Sequence, residues 1–384
     1  MRIKMMDHNP EGVFHFSDIP ADKAEPRTLD LRPKDADHIA EIFKTTLQGS
    51  YNWDYEATNK KLVKLYELGK TLNWNADTDI DWSIPKLDPK KDIPIDDNMF
   101  MTPFIGYEPF EKLSEEDKQR LRWHTLSLAL SQFVHGEQGA LLVASQLVTC
   151  APTEEAKLYA ASQTFDEGRH VEVYLKYLHD RVGFMYGVDK NLKTLLDKVL
   201  TDPRWDLKFI GMQIVIESLA LAAFELMCEL SFDPVLKQVT AYVMRDEGRH
   251  VGFGVIFLEE LYKSGIFTQE EIEDRAQFTY EAALLMRERL VMTASGEFLF
   301  GWPEADLRPR MMQAGVMNMF RQLLFSKLLP NVKKIGLLTD RVRPLYEQLG
   351  VMEYEDQPDA SQIDWVAISK PFTRSQENVS GKVA

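Results

Sequence analysis

The sequence predicts an all-α fold, a helical bundle with additional helices at both ends. Three observations lead there. From Ser114 onward about 35 residues run without proline, opened by Ser-Glu-Glu-Asp, a helix-start pattern. Val, Ile and Thr never form an alternating run with hairpin turns between, so a sheet finds little support. The pentapeptide Asp-Glu-Gly-Arg-His occurs twice, at 166–170 and 246–250, and the i, i+3 spacing of its Glu and His sets both on one helix face.

Taken in order, residues 1–104 read as an irregular arm with two helix-like stretches, near 36–48 and 54–72. The second presents Leu62, Leu65, Tyr66 and Leu68 on one face, whereas Asp and Pro recur too often in 75–104 for a regular element. Residues 105–300 read as the helical core, with helices expected at about 115–149, 153–182, 205–231, 234–263 and 268–294. Residues 301–372 supply C-terminal helices, at about 305–328 and 340–349, that pack on the core, and 373–384 read as a disordered polar tail.

At 384 residues, 45% hydrophobic and 27% charged, the chain has the composition of a globular protein with a large core. Its 45 Lys and Arg against 60 Asp and Glu leave a net charge of −15 and no local basic stripe, so neither nucleic acid nor an anionic membrane is an expected partner. Two cysteines, Cys150 and Cys228, cannot build a disulfide framework or a four-thiolate metal site, and a reducing cytoplasm is the expected compartment. Neither a signal peptide nor a membrane span is expected.

The chemistry lies in the repeat. Thirty residues before each motif glutamate stands another glutamate in an apolar helix: Glu137 before Glu167, and Glu217 before Glu247, the two sets offset by 80 residues. Two antiparallel helices face each other at one height only if both residues are equidistant from the turn. The midpoints are residues 152 and 232, where Cys150-Ala-Pro-Thr153 and Ser231-Phe-Asp-Pro234 supply turn chemistry. Fifteen residues at 1.5 Å rise put each glutamate about 22 Å from its turn, deep in a bundle.

Glu137, Glu167, His170, Glu217, Glu247 and His250 therefore converge. Sequence contexts such as Ile214-Val-Ile-Glu217-Ser-Leu are too apolar for a solvated face, and ionisable groups in a core are paired or bound to metal. Oxygen donors with two imidazoles and no thiolate suit a pair of iron or manganese ions better than structural zinc, and two divalent ions neutralise four carboxylates. Asp166 and Asp246 are expected to accept from the histidine of the opposite helix, Asp166 from His250 and Asp246 from His170, with Arg169 and Arg249 pairing with them. Tyr174, seven residues after Glu167, returns to the ligand face, while its counterpart is Gly254.

This pattern resembles that of the ferritin-like di-iron carboxylate oxygenase superfamily, which includes bacterial multicomponent monooxygenases, arylamine N-oxygenases and ribonucleotide reductase small subunits. The resemblance covers the helical middle, about half the chain, and implies a ferritin-like four-helix bundle. It implies that the six residues named above bind two iron ions, or one manganese and one iron, with Glu167 and Glu247 bridging. Arylamine N-oxygenases carry an additional histidine one turn before the second motif glutamate, where this chain has Val243. Gly136, Ala140, Tyr174 and Gln213 are the expected pocket residues. The activity implied is that of a dioxygen-activating monooxygenase acting on a small apolar organic substrate; with no flavin, nicotinamide or iron-sulfur motif in the sequence a separate electron-donor protein is expected, and a homodimer is one assembly open to it. The alternatives are a radical-generating reductase-like subunit, with Tyr174 at the radical position, and an iron-oxidising ferritin-like protein.

Overall fold

A computed structural model of the chain describes residues 26–29, 42–287 and 291–364. The described elements are overwhelmingly helical. The principal helices are α1 (Lys60–Thr71), α2 (Glu115–Cys150), α3 (Glu154–Tyr177), α4 (Lys190–Thr201), α5 (Trp205–Leu230), α6 (Pro234–Lys263), α7 (Gln269–Arg287), α8 (Glu304–Gln313) and α9 (Gly315–Lys334).

The two hairpins turn where the spacing requires. Ser114 caps α2 by accepting from the Asp117 N–H, with Glu115, Glu116 and Asp117 in a first turn that favours acidic residues. Thr153 caps α3. Asp233 caps α6 by accepting from Val235 N at 2.8 Å, with Pro234 at the first helical position, where its missing N–H costs nothing. The paired hairpins, α2 with α3 and α5 with α6, enclose one core that includes Leu130, Phe133, Tyr174, Phe224 and Phe253. A satellite cluster of Phe104, Phe110, Leu121, Trp302 and Leu307 joins the start of α2 to the C-terminal helices.

Six expectations need correction. Residues 42–48, expected in a helix over 36–48, carry none; positions 36–41 lie outside the described residues. The residues that follow are tied down by tertiary bonds. Ser50 N donates to Thr149 O at 2.9 Å and Ser50 Oγ to Ala151 O at 3.1 Å. Farther on, Glu155 Oε1 accepts from Thr58 N, Thr58 Oγ1 and Asn59 N, so the next helix starts only at Lys60, capped by Asn59. A small sheet does exist, an antiparallel pair of β1 (Pro26–Thr28) and β2 (Phe184–Tyr186), held against α2 by Ser127 and Ser131. The expected helix over 268–294 is α7, which ends at Arg287. The helix expected over 305–328 breaks at Ala314, whose backbone is extended; Arg321 Nη2 bonds the Met312 carbonyl beside the break at 2.7 Å. The expected continuous helix over 205–231 contains a π-helical stretch, Ile210–Ile216, immediately before Glu217. The tail 373–384 lies outside the described residues.

Helix α4 answers to a pattern of Leu192, Leu195, Leu196 and Val199 behind the cap Asp189. It packs close to α2 because Gly139 has no side chain: a Cβ there would stand 2.3 Å from Leu196 Cδ2. Helix α5 is long and apolar enough to cross a membrane by composition, but 83% of its most apolar window is buried inside the protein, where it carries Glu217.

Candidate metal centre

Four helices converge on one buried cluster. Helix α2 brings Glu137, α3 brings Glu167 and His170, α5 brings Glu217, and α6 brings Glu247 and His250, all buried. Their donor atoms form two groupings, each with atoms within 4.8 Å of one another: Glu137, Glu167, His170 and Glu247, and Glu167, Glu217, Glu247 and His250. Glu167 and Glu247 belong to both. Glu167 offers Oε2 to His170 Nδ1 at 3.4 Å and Oε1 to His250 Nδ1 at 3.2 Å. Glu247 does the same at 2.8 and 2.7 Å. Glu137 Oε2 meets only His170 Nδ1, at 3.3 Å.

The outer nitrogens of both histidines are turned to aspartates. His170 Nε2 donates to Asp246 Oδ2 at 3.1 Å and His250 Nε2 to Asp166 Oδ2 at 3.3 Å, so each aspartate orients the imidazole of the other hairpin. Arg169 donates to Asp166 at 2.6 Å and to Asp246 at 2.8 Å. Arg249 bonds Asp246 at 2.5 Å and lies 3.5 Å from Asp166. Two arginines offset two aspartates, which leaves the four glutamates to be neutralised from within the cluster.

With Nε2–H committed to aspartate, each Nδ1 faces the carboxylates. A protonated ring donates there, and a neutral one presents a lone pair to a cation. The electrostatics show this demand for positive charge. Burial and the charge of Glu247 push the Glu137 carboxyl up to about 8, and burial with Glu247 and Glu167 raises Glu217 well above its ordinary range. Burial pushes both imidazoles down, yet the glutamates, Glu247 foremost, outweigh it and hold them well above their ordinary range. Protons or two divalent cations can meet the demand. The arrangement fits cations: Glu167 Oε2 and Glu247 Oε1 are buried and face His170 Nδ1 at 3.4 and 2.8 Å without a well-aligned hydrogen bond, and both belong to the carboxylates shared by the two groupings.

A small, mostly apolar pocket opens beside the cluster, lined by Phe133, Gly136, Ala140, Ile216, Leu219 and Phe224 together with Glu137 and Glu217. Gly136 and Ala140 thus stand on its wall. Tyr174 stands behind it, its ring 5.5 Å from Phe133 and 5.7 Å from Phe224, its buried hydroxyl beside Thr240 with no well-aligned hydrogen bond. Gln213 is turned to Gln163 and is not among the lining residues. His135 bonds the Tyr186 carbonyl, away from the cluster.

Two residues escaped sequence reasoning. Trp74 Nε1 donates to Asp246 Oδ2 at 2.8 Å, and its ring lies under the Arg169 guanidinium at 4.6 Å; no local signal marks a loop residue that meets its partner across 172 positions. Gln163 Nε2 donates to Glu167 Oε1 at 2.9 Å. Its signal was its place four residues before Glu167, on the same face.

A sequence profile of the p-aminobenzoate N-oxygenase AurF family matches residues 54–276, a span that includes every residue of the cluster and also Val243. A comparison with curated proteins returns no match. Among solved structures the chain is similar to an R2-like ligand-binding oxidase variant with an aerobically reconstituted Mn/Fe cofactor, at 16% identity and a TM-score of 0.41, covering 71% of this chain and 94% of that one. A second variant of that oxidase, also aerobically reconstituted with Mn/Fe, gives the same identity and score over 71% and 95%.

Proposed function

The chain belongs to the p-aminobenzoate N-oxygenase AurF family of oxygen-using oxidoreductases, and on that premise we propose that it is a monooxygenase acting on a small, neutral, apolar substrate. The observation that carries the reading is the buried cluster with two shared carboxylates, opening directly on an apolar pocket. Glu137, Glu167, His170 and Glu247 would hold one metal ion, and Glu167, Glu217, Glu247 and His250 the other, with Glu167 and Glu247 bridging. Two iron ions, or one iron and one manganese, would supply there the electrons and Lewis acidity that activate dioxygen.

The chain's own residues do the rest. Asp166 and Asp246 fix the tautomer and the ring plane of the histidines. Phe133, Ile216, Leu219 and Phe224 keep water from the reacting atoms. Gly136 and Ala140, flanking Glu137, leave room for the substrate on the cluster side of the pocket. The lining holds no cation among the described residues, only the two glutamates, so a carboxylate placed there would be buried unpaired. This chain therefore suits an uncharged arene or aromatic amine better than the aminobenzoate that names the family. No flavin or nicotinamide motif is present, and reducing equivalents come from a separate donor protein.

Iron-reconstituted, reduced protein exposed to ¹⁸O-labelled dioxygen with neutral aromatic amines, arenes and p-aminobenzoate, followed by mass spectrometry, tests this. One labelled oxygen should enter a neutral substrate, favoured over p-aminobenzoate by at least about tenfold. A preference for p-aminobenzoate overturns the neutral-substrate reading. Dioxygen consumption with no labelled product from these compounds or from a metabolite extract overturns the monooxygenase reading.

A further inference from the structure

Two buried amides form a polar chain that ends on the cluster. Gln163 lies on α3 one turn before Glu167, and Gln213 lies within the π-helical stretch of α5; both side chains are fully buried. Gln213 Nε2 donates to Gln163 Oε1 at 2.7 Å, which turns the Gln163 amide nitrogen the other way. That nitrogen donates to Glu167 Oε1 at 2.9 Å and to Glu217 Oε1 at 3.4 Å. The backbone of α6 makes room for the arrangement at Gly254, where a Cβ would stand 2.4 Å from Gln213 Cβ.

The chain of amides is directed at the side of the cluster where Glu217 and His250 lie, although Glu167 is shared by both groupings. Glu217 belongs only to the grouping of Glu167, Glu217, Glu247 and His250, and Glu167 Oε1 is the oxygen that faces His250. The position equivalent to Gln163 in the other half is the buried Val243, and the equivalent of Gln213 is Phe133, neither with a hydrogen to donate. One set of carboxylates is therefore held by a donor that cannot swing away, while Glu137 has His170 as its hydrogen-bonding contact. Holding donors in place before the ion arrives removes an ordering cost from binding.

Resting on the two-metal reading above, we propose that Gln163, oriented by Gln213, is a positioning residue that makes the grouping of Glu167, Glu217, Glu247 and His250 the tighter of the two metal positions and the first to fill.

Anaerobic calorimetric titration of the full chain with Mn(II) alone, followed in parallel by electron paramagnetic resonance, tests it. The wild type should bind two ions in two steps separated by at least about tenfold in affinity, passing through a population with isolated Mn(II) before the coupled pair appears. Gln163→Met, of similar length but without the N–H donors, should weaken the tighter step by about tenfold or more, leave the weaker one within about threefold, and let the coupled pair appear from the first additions. Gln213→Met, which removes only the donor that orients Gln163, should move the same step in the same direction by less. A purely structural role would weaken both steps together and lower thermal stability in proportion. An unchanged gap in both variants, or equal affinities in the wild type, overturns the inference while the two-metal reading stands. No binding of Mn(II) or Fe(II) by the wild type overturns that reading itself. Should Gln163→Met fail to fold, Gln213→Met decides by the same criterion.

Discussion

The hairpin of α2 and α3 and the hairpin of α5 and α6 place the same donor types at the same heights, yet they diverge within about three turns of those donors. Helix α2 is α-helical throughout, whereas α5 widens into a π-helical stretch just before Glu217. Tyr174 in the first half answers to Gly254 in the second, Gln163 to Val243, and the buried Leu128 to the buried Lys208. The donors are constrained by charge: four carboxylates must meet equal positive charge in a dry interior, and few changes preserve that balance. Their surroundings escape the constraint, and there the two metal positions acquire different properties.

The largest effect should separate shared from unshared carboxylates. After iron reconstitution, Glu167→Ala and Glu247→Ala should fall from about two ions per chain to nearly none, and Glu137→Ala and Glu217→Ala to about one. Elemental analysis of helical, monodisperse protein measures this. Equal losses in all four variants would mean that the two groupings do not act as separate positions.

Lys208 against Leu128 offers a smaller effect, read through pH. Burial pushes the Lys208 ammonium down to about 8 from 10.5, with Cys150 and Asp202 pulling the other way, while its nitrogen donates to Val199 O and Leu200 O at the end of α4. Between pH 8 and 10.5 the unfolded chain binds the proton and the folded one has released it, so stability rises with pH across that window. Below 8 both states hold the proton and the folded state carries the full penalty. Relative to Lys208→Leu, the wild type should gain up to about 3 kcal/mol from pH 7.5 to 10 in chemical denaturation. A difference that stays flat would show that the buried lysine is solvated in the folded state.

Tyr174 should give the smallest change in stability. Burial, ahead of the Glu137 charge, holds its hydroxyl well above the ordinary range, against a contact with Thr240 that lowers it, so it stays protonated. Tyr174→Phe should shift stability by less than about 1 kcal/mol. If the radical-generating alternative holds, reduced wild-type protein given dioxygen without substrate shows a tyrosyl resonance that the variant lacks. Absence of the signal throughout dioxygen consumption removes that alternative.

The donors of the site were legible because each signal was local and redundant: charge inside apolar helices, i, i+3 pairs, and turns at the midpoints of both intervals. Even the crossing of Asp166 to His250 and Asp246 to His170 followed from position alone. Choices made by tertiary contacts were not legible. The segment from residue 42 gives up helix for bonds to the α2–α3 turn, and Ile210–Ile216 is apolar whichever carbonyl its amides reach. Trp74 finds Asp246 only because the loop after α1 folds back on the bundle. Helix α4 did carry a readable stripe, from Leu192 to Val199.

The crosswise aspartate–histidine bonds bear on how such a sequence can change over generations. Asp166 sits three residues from Arg169 and four from His170, but its imidazole partner is His250, and Asp246 is tied in the same way to His170. A substitution at either aspartate is answered 84 or 76 residues away, in the other copy of the repeat. The pentapeptides read as two independent copies of one motif, yet these bonds join them as a single interlocked pair. Covariation among relatives should therefore link position 166 to 250 and 246 to 170 more strongly than it links either aspartate to the histidine of its own pentapeptide.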